Sequence, residues 1–74
     1  MKITIKLFAT FRTDRFTIEE REYPDGTTVG AIVTELGLPV EQLGIMMVNS
    51  RHVPIDRVLA DGETLALFPL LGGG

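Results

Sequence analysis

The residues of this 74-residue chain that are best suited to chemistry are the three glycines at its end, Gly72, Gly73 and Gly74. Because glycine has no side chain, such a segment has large conformational freedom. It can lie extended in a channel too narrow for Cβ atoms, and it leaves the carboxyl carbon of Gly74 open to attack. A carboxylate becomes an acyl donor only after activation, so the tail predicts a partner enzyme that uses ATP to form an acyl-adenylate. The alternatives are an ordinary frayed terminus or glycines left by cloning.

Side chains that usually carry catalysis are scarce in this sequence. It has no cysteine, one histidine (His52) and one serine (Ser50). A serine and a histidine in one tight turn are more often turn residues than a catalytic pair, and one histidine cannot form a two-histidine metal site in a monomer. The glycine-rich motifs that bind nucleotides are also missing. We therefore expect no metal site, no bound cofactor and no catalysis by the chain itself.

Charge and hydropathy argue against several classes of partner. The net charge is −3 and the basic residues are scattered, which argues against nucleic acid as a ligand. No apolar run is long enough to cross a membrane, and the first eight residues do not form the apolar block of a signal peptide. A chain of this length makes one domain. We expect a cytoplasmic domain over residues 1–71, followed by a flexible tail over residues 72–74.

Two patterns predict the elements of the N-terminal half. Residues 2–7 alternate polar and apolar, which is typical of a half-buried strand. A second strand is predicted at residues 16–23, with Phe16 and Ile18 as packing positions and Tyr23 as a further candidate. The polar segment between them, residues 9–15, is expected to be a loop.

The period then changes from two to that of a helix. One apolar stripe is formed by Val29, Ile32, Val33 and Leu36. This spacing predicts a helix over about residues 28–36, with Thr28 as N-cap and Gly37 as the glycine that follows the last turn. Gly30 inside the helix costs about 1 kcal/mol relative to alanine and is explained if a strand approaches closely there.

The C-terminal half is predicted to contain mainly strands. Residues 38–43 form one turn, residues 45–49 a strand covered on both faces, residues 49–52 a hairpin turn, and residues 64–68 the last strand. A short strand near Val53 is limited by Pro54. The fold class is therefore α+β, a roll in which one main helix packs across a mixed sheet of four to five strands.

A resemblance to a known family rests on four segments: KLFATFR at 6–12, VN at 48–49, LADGETLALFP at 59–69, and the terminal glycines. Together they resemble the MoaD-type small subunit of molybdopterin synthase over essentially the whole chain. The sequence is also similar to ThiS, the sulfur carrier of thiamin thiazole synthesis. Phe8, Arg12 and the segment 67–69 favour MoaD, whereas Gly72 favours ThiS. The resemblance implies a β-grasp (ubiquitin-like) fold with the first and last strands adjacent and parallel.

The resemblance also implies a mechanism and partners. An E1-like adenylating enzyme would activate Gly74 with ATP, and persulfide sulfur from a sulfurtransferase or cysteine desulfurase would then displace AMP. The product would be a C-terminal thiocarboxylate. A MoaD-like carrier would insert its tail into the large subunit of molybdopterin synthase, in a molybdenum or tungsten pterin pathway. A ThiS-like carrier would deliver sulfur to thiazole synthase.

The fold so implied would bring several apolar residues close to the tail. They are Phe8, Phe68, Leu70 and Leu71, which we predict to bind the partner. The alternative for Phe8 and Phe68 is a place in the core. We also expect Pro69 to end sheet pairing and so release the tail.

Two other function classes stay open on the sequence alone. A ubiquitin-like modifier would use the same activated tail to form an isopeptide bond with a lysine. An RNA-binding β-grasp module would use no acyl chemistry, but the acidic balance argues against it. The mass of the product separates a sulfur carrier from a modifier, because sulfur loading changes one atom whereas conjugation adds a whole protein.

Overall fold

The computed structural model describes residues 1–70, whose strands form one sheet in the order β2-β1-β5-β3-β4. The strands are β1 (Lys2–Leu7), β2 (Ile18–Glu22), β3 (Leu43–Val48), β4 (Arg51–His52) and β5 (Thr64–Pro69). One α-helix, α1, spans Val29–Glu35, and 3-10 turns span Ala9–Arg12 and Val40–Gln42. The predicted α+β roll with a mixed sheet is confirmed.

Strands β1 and β5 lie side by side at the centre of the sheet and run parallel. Their register pairs Thr4 with Thr64 and Leu7 with Leu67. Strand β2 pairs antiparallel with β1, and β3 pairs antiparallel with β5. This confirms that the first and last strands are adjacent and parallel.

Helix α1 begins and ends where the sequence predicts. The Thr28 hydroxyl accepts a hydrogen bond from the Ala31 N–H at 3.1 Å, which satisfies one free donor of the first turn. Gly37 has φ of +70°, the left-handed conformation that glycine adopts at helix ends without steric cost. Inside the helix, the Gly30 N–H donates to the Ile55 carbonyl at 2.8 Å. The close approach at Gly30 is therefore made by a loop.

The core lies between α1 and one face of the sheet. Its fully buried members are Ile3, Ile5, Leu7, Val29, Ile32, Val33, Leu65 and Leu67. The expectation that β3 is covered on both faces is wrong, because Ile45 is 39% exposed. Within residues 1–70 a single α-helix is present, and it covers only one face. Ile45 belongs to the other, open face.

Strand β2 corrects a second prediction, since Ile18 is 57% exposed and not packed. The register sets Glu19 opposite Ile5 and Arg21 opposite Ile3. Because paired residues share a face, Glu19 and Arg21 take the helix side and Ile18 takes the open side. The polar pair is tolerated there because β2 is an edge strand, where charged heads reach water. Tyr23, just after β2, is buried as the pattern suggested.

The turn that precedes β5 ties the two central strands together. The Asp61 carboxylate accepts a hydrogen bond from the Lys2 N–H at 2.7 Å, and the Gly62 N–H donates to the Lys2 carbonyl at 2.8 Å. Glu63 accepts two hydrogen bonds from the Arg57 guanidinium, and this interaction holds the pKa of the Glu63 carboxyl below its usual value. Gly62 has φ of +83°, which favours glycine.

The only tyrosine of the chain reports on the contact between β2 and α1. The Tyr23 hydroxyl donates to Glu35 Oε1 at 2.7 Å. Burial, followed by this hydrogen bond to a carboxylate, raises the pKa of Tyr23 to about 12. Because the pKa is about 10 in an unfolded chain, the protonated tyrosine favours the folded state, and this contribution is lost as the pH rises from about 10 through 12.

We predict that Glu35→Gln lowers the pKa of Tyr23 toward its ordinary value. Absorbance of the phenolate measures this directly, since the chain has one tyrosine and no tryptophan. Glu41→Gln, on the exposed 3-10 turn, is the control and should leave the titration unchanged. An ordinary tyrosine titration in the unaltered protein would contradict the assignment.

Candidate functional site

The open face of the sheet carries an aromatic pair beside the end of β5. Phe8 follows β1, and its N–H donates to the Leu67 carbonyl at 3.2 Å, which holds it next to β5. Its ring stacks on that of Phe68, with centroids 4.1 Å apart and planes 11° from parallel. Both side chains are half-buried. The pair therefore lies on the surface near the C-terminal end of β5, and not in the core.

A cation borders this pair. The guanidinium of Arg12 lies over the Phe8 ring, 5.7 Å from its centroid, and Arg12 Nε donates to the Leu7 carbonyl at 3.1 Å. The 3-10 turn that holds Arg12 is anchored by Phe11, which is almost fully buried. A positive charge over an aromatic face is attracted by its quadrupole. The aromatic pair thus has a positively charged rim.

Two further apolar residues extend the exposed surface. Ile45 pairs with Phe68 across β3 and β5, and Leu70 is 60% exposed. We call Phe8, Phe68, Ile45 and Leu70 the aromatic patch. Ile45 was missed in the sequence because β3 was expected to be covered on both faces. Strict alternation with the inward-facing Met46 and Val48 is the signal that could have found it.

The backbone at the base of the tail corrects the prediction for Pro69. That residue was expected to end sheet pairing, but it is buried, belongs to β5 and pairs with Leu43. The next N–H, that of Leu70, donates to the Gln42 carbonyl at 2.8 Å. Pro69 has no N–H to donate, but its neighbours in the strand do. An irregularity in the β3–β5 register between Leu43 and Ile45 lets backbone hydrogen bonding continue to Leu70. We call Pro69 and Leu70 the tail root.

Four of the predicted site residues lie outside the described residues. They are Leu71, Gly72, Gly73 and Gly74. The flexible tail, its domain boundary and the role of the Gly74 carboxylate therefore stay predictions. The structure does describe the tail root from which this segment continues.

The lone serine and histidine lie at the far end of β3. Asn49 and Ser50 have positive φ values and form the turn between β3 and β4, and His52 pairs with Met47 on the exposed edge strand. Among residues 1–70 no cluster of His, Asp or Glu could hold a metal ion. No helix in that range is long and apolar enough to cross a membrane.

Comparison with known proteins identifies the family. The ThiS family model matches residues 5–74. The chain belongs to the ThiS family. This membership and the β-grasp fold confirm the resemblance to the MoaD and ThiS group of ubiquitin-like sulfur carriers. No curated protein sequence matches the chain significantly.

Solved structures of similar proteins agree with this assignment. A putative molybdopterin converting factor subunit 1 from Pyrococcus furiosus is 30% identical, with a TM-score of 0.76 over 93% of this chain and 97% of that one. SAMP1 from Haloferax volcanii is 22% identical, with a TM-score of 0.77 over all of both chains. A complex of subunits 1 and 2 of the molybdopterin-converting factor from Helicobacter pylori 26695 gives 19% identity and a TM-score of 0.68, again over all of both chains. The last two comparisons show the fold alone.

We predict that Phe8 and Phe68 stabilise each other beyond their separate contributions. In a double-mutant cycle of Phe8→Ala and Phe68→Ala, a stacked pair should give a coupling free energy of about 0.5–1.5 kcal/mol. Urea unfolding of the four proteins measures it. Phe68→Ala combined with Val58→Ala is the control, because Val58 bridges to Thr28 beside the helix and should act additively. Additive effects in the Phe8 cycle would contradict the stack.

Proposed function

We propose that this protein carries sulfur as a thiocarboxylate on Gly74 and delivers it in molybdopterin or tungstopterin synthesis. The observation that carries the proposal is that the family match extends through the triglycine to residue 74. Those glycines follow the tail root after one residue, Leu71, and the tail root adjoins the exposed rings of Phe8 and Phe68. In this proposal the chain is a carrier and co-substrate, and the catalysis belongs to its partners.

The chemistry begins with the Gly74 carboxylate. Its oxygen attacks the α-phosphorus of ATP in the active site of an E1-like enzyme, which releases pyrophosphate and forms an acyl-adenylate. A persulfide sulfur of a sulfurtransferase or cysteine desulfurase then attacks the acyl carbon, and AMP leaves with the electron pair of the C–O bond. A second thiol attacks the resulting acyl disulfide, so that the S–S bond breaks and the thiocarboxylate leaves. The two thiol sulfurs end as a disulfide, which balances the electrons.

The aromatic patch supplies a docking surface for these partners. Interfaces are anchored by buried aromatic side chains at their centre and bordered by a polar rim. Phe8 and Phe68 fit the first role, and Arg12 fits the second, with a carboxylate of the partner as its complement. Leu70 and Leu71 would continue this surface toward the tail.

The tail root also limits where the partner's active centre can lie. Four residues follow Leu70, and an extended chain spans about 3.3–3.6 Å per residue, so Gly74 reaches at most about 14 Å from the tail root. With the patch docked, the reacting centre of a partner must lie within that distance. A channel lined by backbone contacts would suit glycine, since no Cβ has to fit.

The pterin pathway is favoured by the relative from Pyrococcus furiosus, whose printed description is that of a molybdopterin converting factor subunit. Thiamin thiazole synthesis is the alternative within the same family. A role as protein modifier shares the adenylate, and the likeness to SAMP1 concerns the fold. A pull-down from native extract separates the first two, according to whether a pterin-synthase large subunit or thiazole synthase is retained.

We predict that sulfur loading depends on the free carboxylate of Gly74. Deleting Gly74 or adding one residue after it moves the carboxylate by about 3.5 Å, which should abolish loading because the nucleophile must approach closely. The assay contains the cognate adenylating enzyme, ATP and a persulfide donor. Intact mass reads the exchange of one oxygen for sulfur.

Ser50→Ala and His52→Ala serve as controls, since both residues lie in or beside the β3–β4 turn. They should load normally. Normal thiocarboxylate formation by an extended chain that has not been trimmed would overturn the central proposal. Loss of loading in folded His52→Ala would reveal an internal site, and products heavier by a whole protein would favour the modifier function.

We predict that Phe68→Ala weakens binding to the large subunit of the pterin synthase by about 2 kcal/mol or more, as expected for a central aromatic anchor. Titration calorimetry with the purified subunit measures this. Val58→Ala removes an exposed apolar side chain next to the N-cap of the helix and should leave the affinity unchanged. Equal affinities for both variants and the unaltered protein would show that the patch is not the docking surface.

A further inference from the structure

Gly44 lies against the backbone of the tail root. A Cβ atom at this position would be 2.7 Å from the Pro69 carbonyl oxygen, 2.8 Å from its carbonyl carbon and 2.9 Å from the Leu70 nitrogen. These distances are shorter than any ordinary contact, and all three atoms belong to the backbone. Rotation of a side chain therefore cannot make room for a methyl group.

The close approach has a geometric origin in the pairing of β3 with β5. Leu43 pairs with Pro69 and Ile45 pairs with Phe68, so Gly44 is the extra residue of a bulge. The bulge brings the chain before β3 alongside Leu70, where the Gln42 carbonyl accepts the Leu70 N–H at 2.8 Å. Leu70, the residue that follows β5 and the last one described, is thus held by a backbone hydrogen bond.

The effect of a side chain at Gly44 would be local. Gly44 is exposed, and its φ lies outside the left-handed region, so no backbone strain requires glycine there. The nearest atoms that its Cβ would meet belong to Pro69 and Leu70, and not to the helix-facing core. An ordinary contact of 3.4 Å would require Gly44 and the tail root to separate by at least 0.7 Å, the difference between 3.4 and 2.7 Å.

We propose that Gly44 is a positioning residue for the reaction of the tail. By lacking a side chain, it lets the segment before β3 hold Leu70 through the Gln42 carbonyl and so fixes the point from which the last four residues extend. The inference rests on the proposed carrier function, because the position of the tail root matters only if it determines how far and in which direction Gly74 reaches into a partner. A misplacement of about 1 Å can reduce a reaction rate about a hundredfold.

The test compares Gly44→Ala with Gly30→Ala. Both add one methyl group, but the Cβ at position 30 would meet Ile55 at 3.2 Å, on the helix side of the molecule. Hydrogen exchange followed by NMR should show the Leu70 amide of Gly44→Ala exchanging about fivefold faster or more, which corresponds to loss of a hydrogen bond of about 1 kcal/mol. The Leu67 amide, deeper in β5, should be unchanged, and Gly30→Ala should leave Leu70 as it is.

The same two proteins are then loaded with sulfur by the adenylating enzyme and persulfide donor. For Gly44→Ala we expect kcat to fall about tenfold. KM should change little, because Phe8 and Phe68 stay in place. Gly30→Ala should match the unaltered protein in both constants.

Each other result has a definite meaning. Normal kcat in Gly44→Ala, unchanged exchange at Leu70, or global unfolding of Gly44→Ala would overturn the inference, the last by assigning Gly44 to overall stability. If the unaltered protein is not loaded at all, the proposed function fails. Exchange at Leu70 would then still decide whether Gly44 holds the tail root.

Discussion

The parallel pairing of β1 with β5 is the constraint on which the rest of the structure depends. It joins the first and last strands of the chain, so both must be in place before the centre of the sheet exists. Their inward-facing side chains form the apolar surface against which α1 packs. The ends of these strands bring Phe8 and Phe68 together, and the tail root begins directly after Phe68.

Because β5 is central, its C-terminal end is held from both sides. On the β1 side the Phe8 N–H donates to the Leu67 carbonyl, and on the β3 side the Leu70 N–H donates to the Gln42 carbonyl. A carrier tail on an edge strand would leave the sheet from a loosely held position. Here β5 is held by β1 as far as Leu67, and the tail root itself is held by Gln42 and Leu43. In the proposed function, a tail root held in one place and terminal glycines without side chains would both help Gly74 to enter the active site of a partner.

Local periodicity was sufficient to predict the elements that have one buried face. Alternation in β1 and the stripe of α1 both identified their core residues, and Thr28 and Gly37 marked the helix ends. What failed depended on register. Ile18 looks apolar and packed in the sequence, but pairing with β1 turns it outward and turns Glu19 inward. The roles of Pro69 and Gly44 depend on the bulge in the pairing of β3 with β5. They could not be predicted from the sequence, because each residue contacts backbone atoms of a distant part of the chain.

The motifs that carry the family resemblance are largely explained by the fold. Asp61 and Gly62 close the turn against Lys2, and Asn49 accepts the Thr64 N–H through its side chain at 2.9 Å. These contacts support the pairing of β5 with β1 and β3, which would be the same whether the chain carries sulfur or modifies proteins. They therefore cannot distinguish these functions. The distinction must come from surface residues that these contacts do not involve, and in the described residues the rings of Phe8 and Phe68 and the guanidinium of Arg12 are candidates. In the proposed function, partner choice depends on side chains on the open face of the sheet, whereas the buried face and its turns determine the fold that both functions share.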